Sequence, residues 1–229
     1  MPYAPNELTA LADTLDADGP LEARIVERAA PGARVGLLPG SYNPPTQAHV
    51  ALARAGRAAG LDAVYYLLSK RTVNKEQVTG IPLADRLELL RRLAAPDGDG
   101  VAVDNRGLYV DHAAAMQAAL PSARELVFLV GFDKIVQIFD PRYYDDRDGA
   151  LTRLFELSSF LVAPRGEADE GDLRDLLGRA ENRPFAGGVK AIPLADVYRH
   201  SSSTKVREGA AGHVPPLVAD YLTRFKPFD

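Results

Sequence analysis

Residues 40–49 read Gly-Ser-Tyr-Asn-Pro-Pro-Thr-Gln-Ala-His and join an apolar run at 35–38 to a run typical of a helix at 50–55. The apolar run, Val-Gly-Leu-Leu, is typical of a buried parallel strand. The decapeptide is therefore predicted to be a strand-to-helix turn. In open α/β sheets, ligands bind at such turns, beyond the carboxyl ends of the strands.

The prolines of this turn set the start of the helix. Pro44 and Pro45 restrict the backbone ahead of them, so the helix cannot begin before about Thr46. Thr46 is a favourable N-cap residue, and His49 follows three positions later on the same face. Backbone N–H groups and the helix dipole attract anions to this end, and Gly40 lets the backbone approach a phosphate closely. A hydroxyl and an imidazole there can donate hydrogen bonds to a phosphoryl oxygen as charge develops in a transition state.

A second polar stretch, Ser-Ser-Ser-Thr-Lys-Val-Arg, lies far downstream at 201–207. By itself such a run is usually a flexible turn or a helix N-cap. Arg207, one turn after the hydroxyls, and the presence of the upstream motif favour phosphate binding. The two stretches together predict a site for a nucleoside triphosphate.

Along the rest of the chain, apolar runs typical of strands alternate with patterns typical of helices. The candidate strands are 34–38, 63–68, 101–103, 126–130, 160–162 and 189–192. The candidate helices include 83–90, 111–120 and 170–180. This alternation implies a parallel sheet with right-handed crossovers. We predict an α/β fold with a parallel sheet of five to six strands and helices on both faces, and Tyr65 and Tyr66 in its core.

Composition narrows the classes of function. The net charge of −4 argues against a general nucleic-acid binder, whose surface is basic. The absence of cysteine excludes disulfides, cysteine-ligated zinc and thiol catalysis. No run approaches the length of a membrane span, and the acidic first 20 residues lack the layout of a signal peptide. We expect a cytoplasmic protein with no nucleic-acid or membrane partner.

Three motifs of this chain resemble those of a known family. The stretch 40–49 is similar to the first signature of the nucleotidyltransferase superfamily, and its Asn-Pro-x-Thr-x-x-His form to that of the nicotinamide/nicotinate mononucleotide adenylyltransferases. Residues 202–207 resemble the second signature, Ser-Ser-Thr-x-x-Arg, and residues 131–133 resemble the Gly-x-Asp loop. Three motifs in the right order are a strong signal, whereas any one alone is weak. The resemblance implies a Rossmann-like nucleotidyltransferase fold.

The resemblance covers roughly residues 34–225, so we predict a nucleotidyltransferase domain at 33–229. Residues 1–32 lie outside it and carry Leu8, Leu11 and Leu15 at helical spacing. We predict an N-terminal helical extension there, packed either on the domain or on a second subunit. A homo-oligomer therefore remains compatible with the sequence.

In the family that the chain resembles, a mononucleotide phosphate attacks the α-phosphate of ATP, which gives a dinucleotide and pyrophosphate. The protein then mainly positions substrates and stabilises charge, because no covalent intermediate is needed. The expected partners are ATP and a pyridine mononucleotide. Mg²⁺ is expected to be held mainly by the triphosphate, since the sequence shows no compact set of protein metal ligands.

The resemblance also implies roles for individual residues. Catalytic roles fall to Thr46, His49 and Arg207; Thr46 stands where many members carry a first histidine. The implied ATP contacts are Gly40, Ser41, Tyr42, His49, Gly131, Asp133, Ser202, Ser203, Thr204 and Arg207. The implied acceptor contacts are Ser41, Asn43, Lys75 and Tyr144. Lys70 is a weaker candidate for the acceptor phosphate.

The acceptor half departs from the family pattern, because the family stacks the pyridine ring on a tryptophan and this chain has none. Ungapped alignment from Gly131 places Tyr144 there, with Tyr143, Phe139 and Phe132 as alternatives. A tyrosine face can also stack on a cationic ring. Two alternatives stay open: a nucleotidyltransferase for another phosphorylated acceptor, such as a phosphopantetheine or a sugar or alcohol phosphate, and a non-catalytic ATP-binding regulatory protein.

The sequence also predicts positions for three histidines and one arginine outside the motifs. His112 and His213 are predicted to be ordinary surface residues. His200 is equally compatible with the site and with solvent. Arg86 is equally compatible with a place in the site, as in the bacterial enzymes, and with a buried structural pairing.

Overall fold

A seven-stranded sheet organises the chain in a computed structural model that describes residues 3–70, 80–209 and 213–228. The strands are β1 (Ala23–Glu27), β2 (Arg34–Pro39), β3 (Ala63–Ser69), β4 (Gly100–Asp104), β5 (Glu125–Gly131), β6 (Ser158–Ala163) and β7 (Val189–Ala191). Their order is β1-β4-β3-β2-β5-β6-β7, and every neighbouring pair is parallel except β1 with β4. The predicted fold class is confirmed, with seven strands in place of five to six.

The strands are connected by helices that cover both faces of the sheet. The helices are α1 (Asn6–Thr14), α2 (Gln47–Ala58), α3 (Leu83–Ala94), α4 (Tyr109–Ala119), α5 (Phe132–Phe139), α6 (Arg147–Leu157), α7 (Glu170–Gly178), α8 (Asp196–Arg199), α9 (Ser203–Arg207) and α10 (Pro216–Phe225). Successive strand residues point to opposite faces, so Leu37 and Phe128 enter one core while Leu38 and Leu129 enter the other. Tyr65 and Tyr66 are buried on opposite faces, which confirms their core assignment.

The N-terminal segment packs on the domain. In α1, Leu8 is buried against the core that α3 also lines, and Leu15 just beyond the helix is fully buried there. Strand β1 was not predicted, because its five residues are all half-buried and show no clear alternation. It extends the sheet as an antiparallel edge strand, so residues 23–27 belong to the sheet and not to a purely helical extension.

Polar side chains after β3 and β4 hold the segment between α1 and β1. The Lys70 ammonium donates to the carbonyl oxygens of Ala12 at 2.8 Å and Leu15 at 2.5 Å. The Asn105 side-chain amide donates to the carbonyl oxygens of Asp16 at 2.8 Å and Pro20 at 2.7 Å. Lys70, expected as a weak candidate for a substrate phosphate, is therefore used by the chain's own backbone.

Replacing Lys70 by alanine is expected to destabilise this junction by about 1–2 kcal/mol, because two partly buried carbonyl groups lose a charged donor. Hydrogen exchange should quicken in α1 and the following segment more than in the central strands. Lys134→Ala is the control, since its ammonium makes an exposed contact to Gln137. Equal exchange in both variants would contradict the anchoring role.

His112 is not the surface residue that the sequence predicted. It is 4% exposed, and its Nδ1 is hydrogen-bonded to the carboxylate of Asp104, which is fully buried at the end of β4. The other oxygen of that carboxylate accepts from the Ser69 hydroxyl at 2.7 Å. The buried carboxylate needs polar partners, so the first turn of α4 directs the imidazole inward.

Among the residues the structure describes, no helix is both long enough and apolar enough to cross a membrane.

His213, predicted to be an ordinary surface residue, is half-buried beside the start of α2. Its carbonyl oxygen accepts from the Gln47 N–H at 2.8 Å.

Candidate active site

The first motif folds as its prolines predict. Thr46 is the N-cap of α2, which begins at Gln47, and His49 lies in the first turn. The Thr46 N–H donates to His49 Nδ1 at 2.9 Å, and the Thr46 Oγ1 lies 2.9 Å from the same nitrogen. A ring nitrogen that accepts from an N–H group carries no proton, so the neutral imidazole holds its proton on Nε2. Thr46 is itself buried, so it acts on any ligand through His49.

The charge state of His49 follows from its surroundings. Burial, and then the positive charge of Arg165, lower the pKa of His49 from 6.5 to about 4. The ring is therefore neutral at pH 7. It offers Nε2–H as a hydrogen-bond donor and supplies no positive charge of its own.

The depressed pKa of His49 predicts how stability depends on pH. The unfolded chain binds a proton on this ring near pH 6.5, whereas the folded chain binds it only near pH 4. The stabilisation is complete above pH 6.5 and is lost as the pH falls towards 4. We expect His49→Asn to show a smaller loss of melting temperature across this range than the wild type. A His49 titration midpoint near 6.5, measured by NMR, would contradict this assignment.

Tyr42 supports the histidine from inside the protein. Its side chain is fully buried, its hydroxyl donates to the carbonyl oxygen of Leu38, and its ring lies 4.8 Å from the His49 ring, centroid to centroid. The hydroxyl is therefore engaged by the backbone in this structure, and the ATP contact of Tyr42 stays a prediction. A Cβ on Gly40 would come within 2.9 Å of the Tyr42 ring, so glycine is required there for the tyrosine, whether or not a phosphate approaches.

Asn43 also has an internal role. It is buried, and its side-chain oxygen accepts from the Ile81 N–H at 3.0 Å. Its backbone carbonyl oxygen accepts from Arg207 Nη1 at 2.6 Å. The residue thus ties the first motif to the segment just before α3 and to the second motif, and its acceptor contact stays a prediction.

The second motif is locked onto the first. The Ser202 hydroxyl accepts from the Lys205 N–H at 3.1 Å and caps α9. The Ser203 hydroxyl donates to the carbonyl oxygen of Pro44 at 2.7 Å. Arg207 donates from Nη2 to the Thr204 Oγ1 at 3.0 Å while its Nη1 binds the first motif. Two stretches that lie more than 150 residues apart in sequence therefore meet, as the sequence predicted.

The Gly-Phe-Asp loop follows β5, with Gly131 as the N-cap of α5. A Cβ on Gly131 would come within 2.7 Å of the Asp133 carboxylate, so the carboxylate lies tightly over the glycine. Asp133 is exposed, and its Oδ1 lies 3.9 Å from Arg165 Nε. The Arg165 Nη1 donates to the carbonyl oxygen of Ser201 at 2.5 Å. Sequence reasoning missed Arg165; the available signal was its position two residues after a buried strand.

Ser41 and Arg86 form a further contact at the first motif. Arg86 is 6% exposed, and its Nη1 donates to the Ser41 carbonyl oxygen at 2.7 Å. Burial lowers the pKa of Arg86 to about 10, which leaves it cationic at neutral pH. Arg86 was interpreted either as a residue of the site or as one in a buried structural pairing. The structure shows a buried contact between its side chain and the backbone of the first motif.

The remaining acceptor residues are less tightly placed. Tyr144 is half-buried, its hydroxyl donates to the Ile138 carbonyl oxygen at 2.8 Å, and burial raises its pKa to about 12. Lys75 lies outside the described residues. His200 is exposed, with Nε2 3.6 Å from a Glu167 carboxylate oxygen. Within 3–70, 80–209 and 213–228, no group of three or more His, Asp or Glu side chains is arranged to hold a metal ion.

Comparisons with known proteins identify the family of the chain. Residues 37–209 match the family model described as cytidylyltransferase-like. A probable nicotinate-nucleotide adenylyltransferase from Laribacter hongkongensis is 31% identical over 214 residues, which cover 84% of this chain and 93% of the relative. Another protein of that name, from Ruegeria pomeroyi, is 31% identical over 201 residues, or 80% and 89% of the two chains.

A solved structure shares the fold. It is the Plasmodium falciparum nicotinic acid mononucleotide adenylyltransferase complexed with NaAD, with a TM-score of 0.61 and 16% identity over 86% of this chain and 97% of that one. The family match spans both interlocked motifs and the Gly-Phe-Asp loop. The chain therefore belongs to the cytidylyltransferase-like family and is a nucleotidyltransferase.

Proposed function

We propose that this protein transfers the adenylyl group of Mg²⁺-ATP to nicotinate mononucleotide and releases pyrophosphate. The observation that carries the proposal is the interlocking of the two motifs, in which Arg207 joins Thr204 to the backbone of Asn43 beside His49. The relatives and the structural neighbour, through their names, support a nicotinate nucleotide as acceptor.

In the proposed reaction one bond to the α-phosphorus forms and one breaks. An oxygen of the acceptor's phosphate forms a bond to the α-phosphorus of ATP, and the bond from that phosphorus to the bridging oxygen of the β-phosphate breaks. The His49 Nε2–H donates to an α-phosphate oxygen as charge grows, with Thr46 holding the ring. Mg²⁺ enters with the triphosphate as part of the substrate.

The other residues divide between the two substrates. In the proposal, Ser202, Ser203, Thr204 and Arg207 receive the β- and γ-phosphates, and the backbone of Gly40, Ser41 and Tyr42 runs along the reacting phosphates. The exposed Asp133 accepts from a ribose hydroxyl. Its carboxylate can lie close over residue 131 because that residue is a glycine. Ser41, Lys75 and Tyr144 are assigned to the acceptor.

The test is a chromatographic assay with Mg²⁺-ATP and each candidate acceptor in turn. Nicotinate mononucleotide is expected to give its dinucleotide faster than nicotinamide mononucleotide does. If only a phosphopantetheine or a sugar or alcohol phosphate gave product, the protein would still be a nucleotidyltransferase, but its acceptor would not be a pyridine mononucleotide. Tight ATP binding without product from any acceptor would favour the non-catalytic alternative.

Tyr144→Ala is expected to raise the KM for the mononucleotide about 10-fold or more with little change in the KM for ATP, because it removes a stacking face. Tyr144→Phe is the matched control, since it keeps the ring and loses only the hydroxyl that donates to Ile138. Steady-state kinetics measure both constants. Equal changes in the two KM values would show that Tyr144 does not belong to the acceptor half.

A further inference from the structure

Arg165 contacts the Gly-Phe-Asp loop and the backbone at the start of the second motif. It comes two residues after the end of β6, whose Ala163 pairs with Gly131 of β5. Its side-chain Cδ lies 3.7 Å from the position of a Cβ on Gly131, and its Nη1 donates to the Ser201 carbonyl oxygen at 2.5 Å. The side chain thus bridges the Gly-Phe-Asp loop and the residue that precedes the second motif.

The charge of Arg165 also reaches the first motif. The stretch that it contacts at Ser201 is fastened to the first motif through Ser203, whose hydroxyl donates to the Pro44 carbonyl oxygen at 2.7 Å. The positive charge of Arg165 also helps to lower the pKa of His49. The Oδ1 of the exposed Asp133 is 3.9 Å from Nε. This separation is too long for a hydrogen bond, so the Asp133 carboxylate does not engage the Nε–H group.

Adenylyl transfer needs positive charge near the reacting phosphate, because negative charge develops on the phosphoryl oxygens and on the leaving pyrophosphate. His49 is neutral at pH 7 and supplies only a hydrogen bond. Arg207 is held at the second motif by Thr204 and by the Asn43 carbonyl oxygen. Arg165 is a second cation, held between the Gly-Phe-Asp loop and the start of the second motif.

We propose that Arg165 is a catalytic residue that donates to the α-phosphate of ATP beside His49 and stabilises its charge during transfer. This proposal rests on the proposed adenylyl transfer. The bond that forms joins the acceptor oxygen to the α-phosphorus, the bond that breaks releases pyrophosphate, and Arg165 keeps its protons throughout. The contact of Arg165 with Ser201 sets its position relative to the second motif.

Two measurements on Arg165→Gln and Arg165→Lys test the proposal. Arg165→Gln is expected to lower kcat about 100-fold or more, with a smaller change in the KM of the acceptor. Arg165→Lys keeps the charge without the planar fork and is expected to recover part of the loss. In the free protein, NMR titration should give a higher His49 pKa in Arg165→Gln than in the wild type, and a nearly unchanged pKa in Arg165→Lys.

Arg199→Gln is the matched control, because Arg199 supports the same loop by donating to the Ala168 carbonyl oxygen at 2.8 Å. It should leave the His49 pKa and kcat close to those of the wild type. An unchanged His49 pKa in Arg165→Gln, or wild-type kcat in that variant, would overturn the assignment of Arg165. Absence of product from the wild type with every acceptor would instead remove the proposed function, and this role with it.

Discussion

Replacing His49 by asparagine is expected to lower turnover by about 10³-fold and to leave the melting temperature nearly unchanged. The asparagine oxygen can accept from the Thr46 N–H in place of Nδ1, so the first turn of α2 keeps its cap. The variant has no donor at the position of Nε2, so the developing charge loses its hydrogen bond. Turnover is measured with both substrates saturating, and stability by thermal unfolding.

His49→Gln is the companion variant, because its longer side chain carries amide N–H groups close to the position of Nε2. It should retain more turnover than His49→Asn. His49→Ala is less informative, since it also removes the acceptor for Thr46 and the packing against Tyr42. Wild-type turnover in His49→Asn would contradict the catalytic role, and unfolding of that variant in parallel with its loss of activity would make the residue structural.

Replacing Arg207 by alanine is expected to lower kcat/KM for ATP by about 100-fold or more. The guanidinium binds the Thr204 hydroxyl and the Asn43 carbonyl oxygen at the same time, so it both contacts the triphosphate in our proposal and closes the second motif onto the first. Arg207→Lys should recover only part of this loss, because an ammonium cannot form both contacts with the geometry of a planar fork. Steady-state kinetics with varied ATP measure the effect.

The control for Arg207 is Lys205→Ala, on the same short helix. The Lys205 side chain is exposed, and the helix cap uses only its backbone N–H. We expect a change of less than about 0.5 kcal/mol in stability and little change in kcat/KM. If Arg207→Ala changed only the KM for the acceptor, Arg207 would belong to the acceptor half of the site and not to the ATP half.

The parts of the site that were predicted correctly depend on local rules. Two prolines and a threonine set the start of α2, and His49 follows at a fixed spacing, so this geometry needs no knowledge of the tertiary structure. The meeting of the two motifs followed from the family resemblance and is confirmed by the contact between Ser203 and Pro44.

The parts that were missed depend on long-range packing. The Tyr42 side chain is buried with its hydroxyl donating to the Leu38 carbonyl oxygen. The His112 side chain is buried with its imidazole hydrogen-bonded to the buried carboxylate of Asp104. Arg165 gains its importance from residues of two other segments. No local pattern distinguishes Tyr42 and His112 from ordinary turn or surface residues, and the position of Arg165 after a buried strand does not by itself show what it contacts. Strand β1 likewise lacks an alternating pattern.

Adenylyl transfer at this site is tested by following the α-phosphate of ATP. ATP labelled on that phosphate is incubated with Mg²⁺, nicotinate mononucleotide and either wild-type protein or His49→Asn, and the products are separated by chromatography. We predict that the wild type moves the label into the dinucleotide with one pyrophosphate released per dinucleotide, and that His49→Asn does so far more slowly. Label that stays in ATP, or appears only in AMP or ADP, would contradict adenylyl transfer at this site.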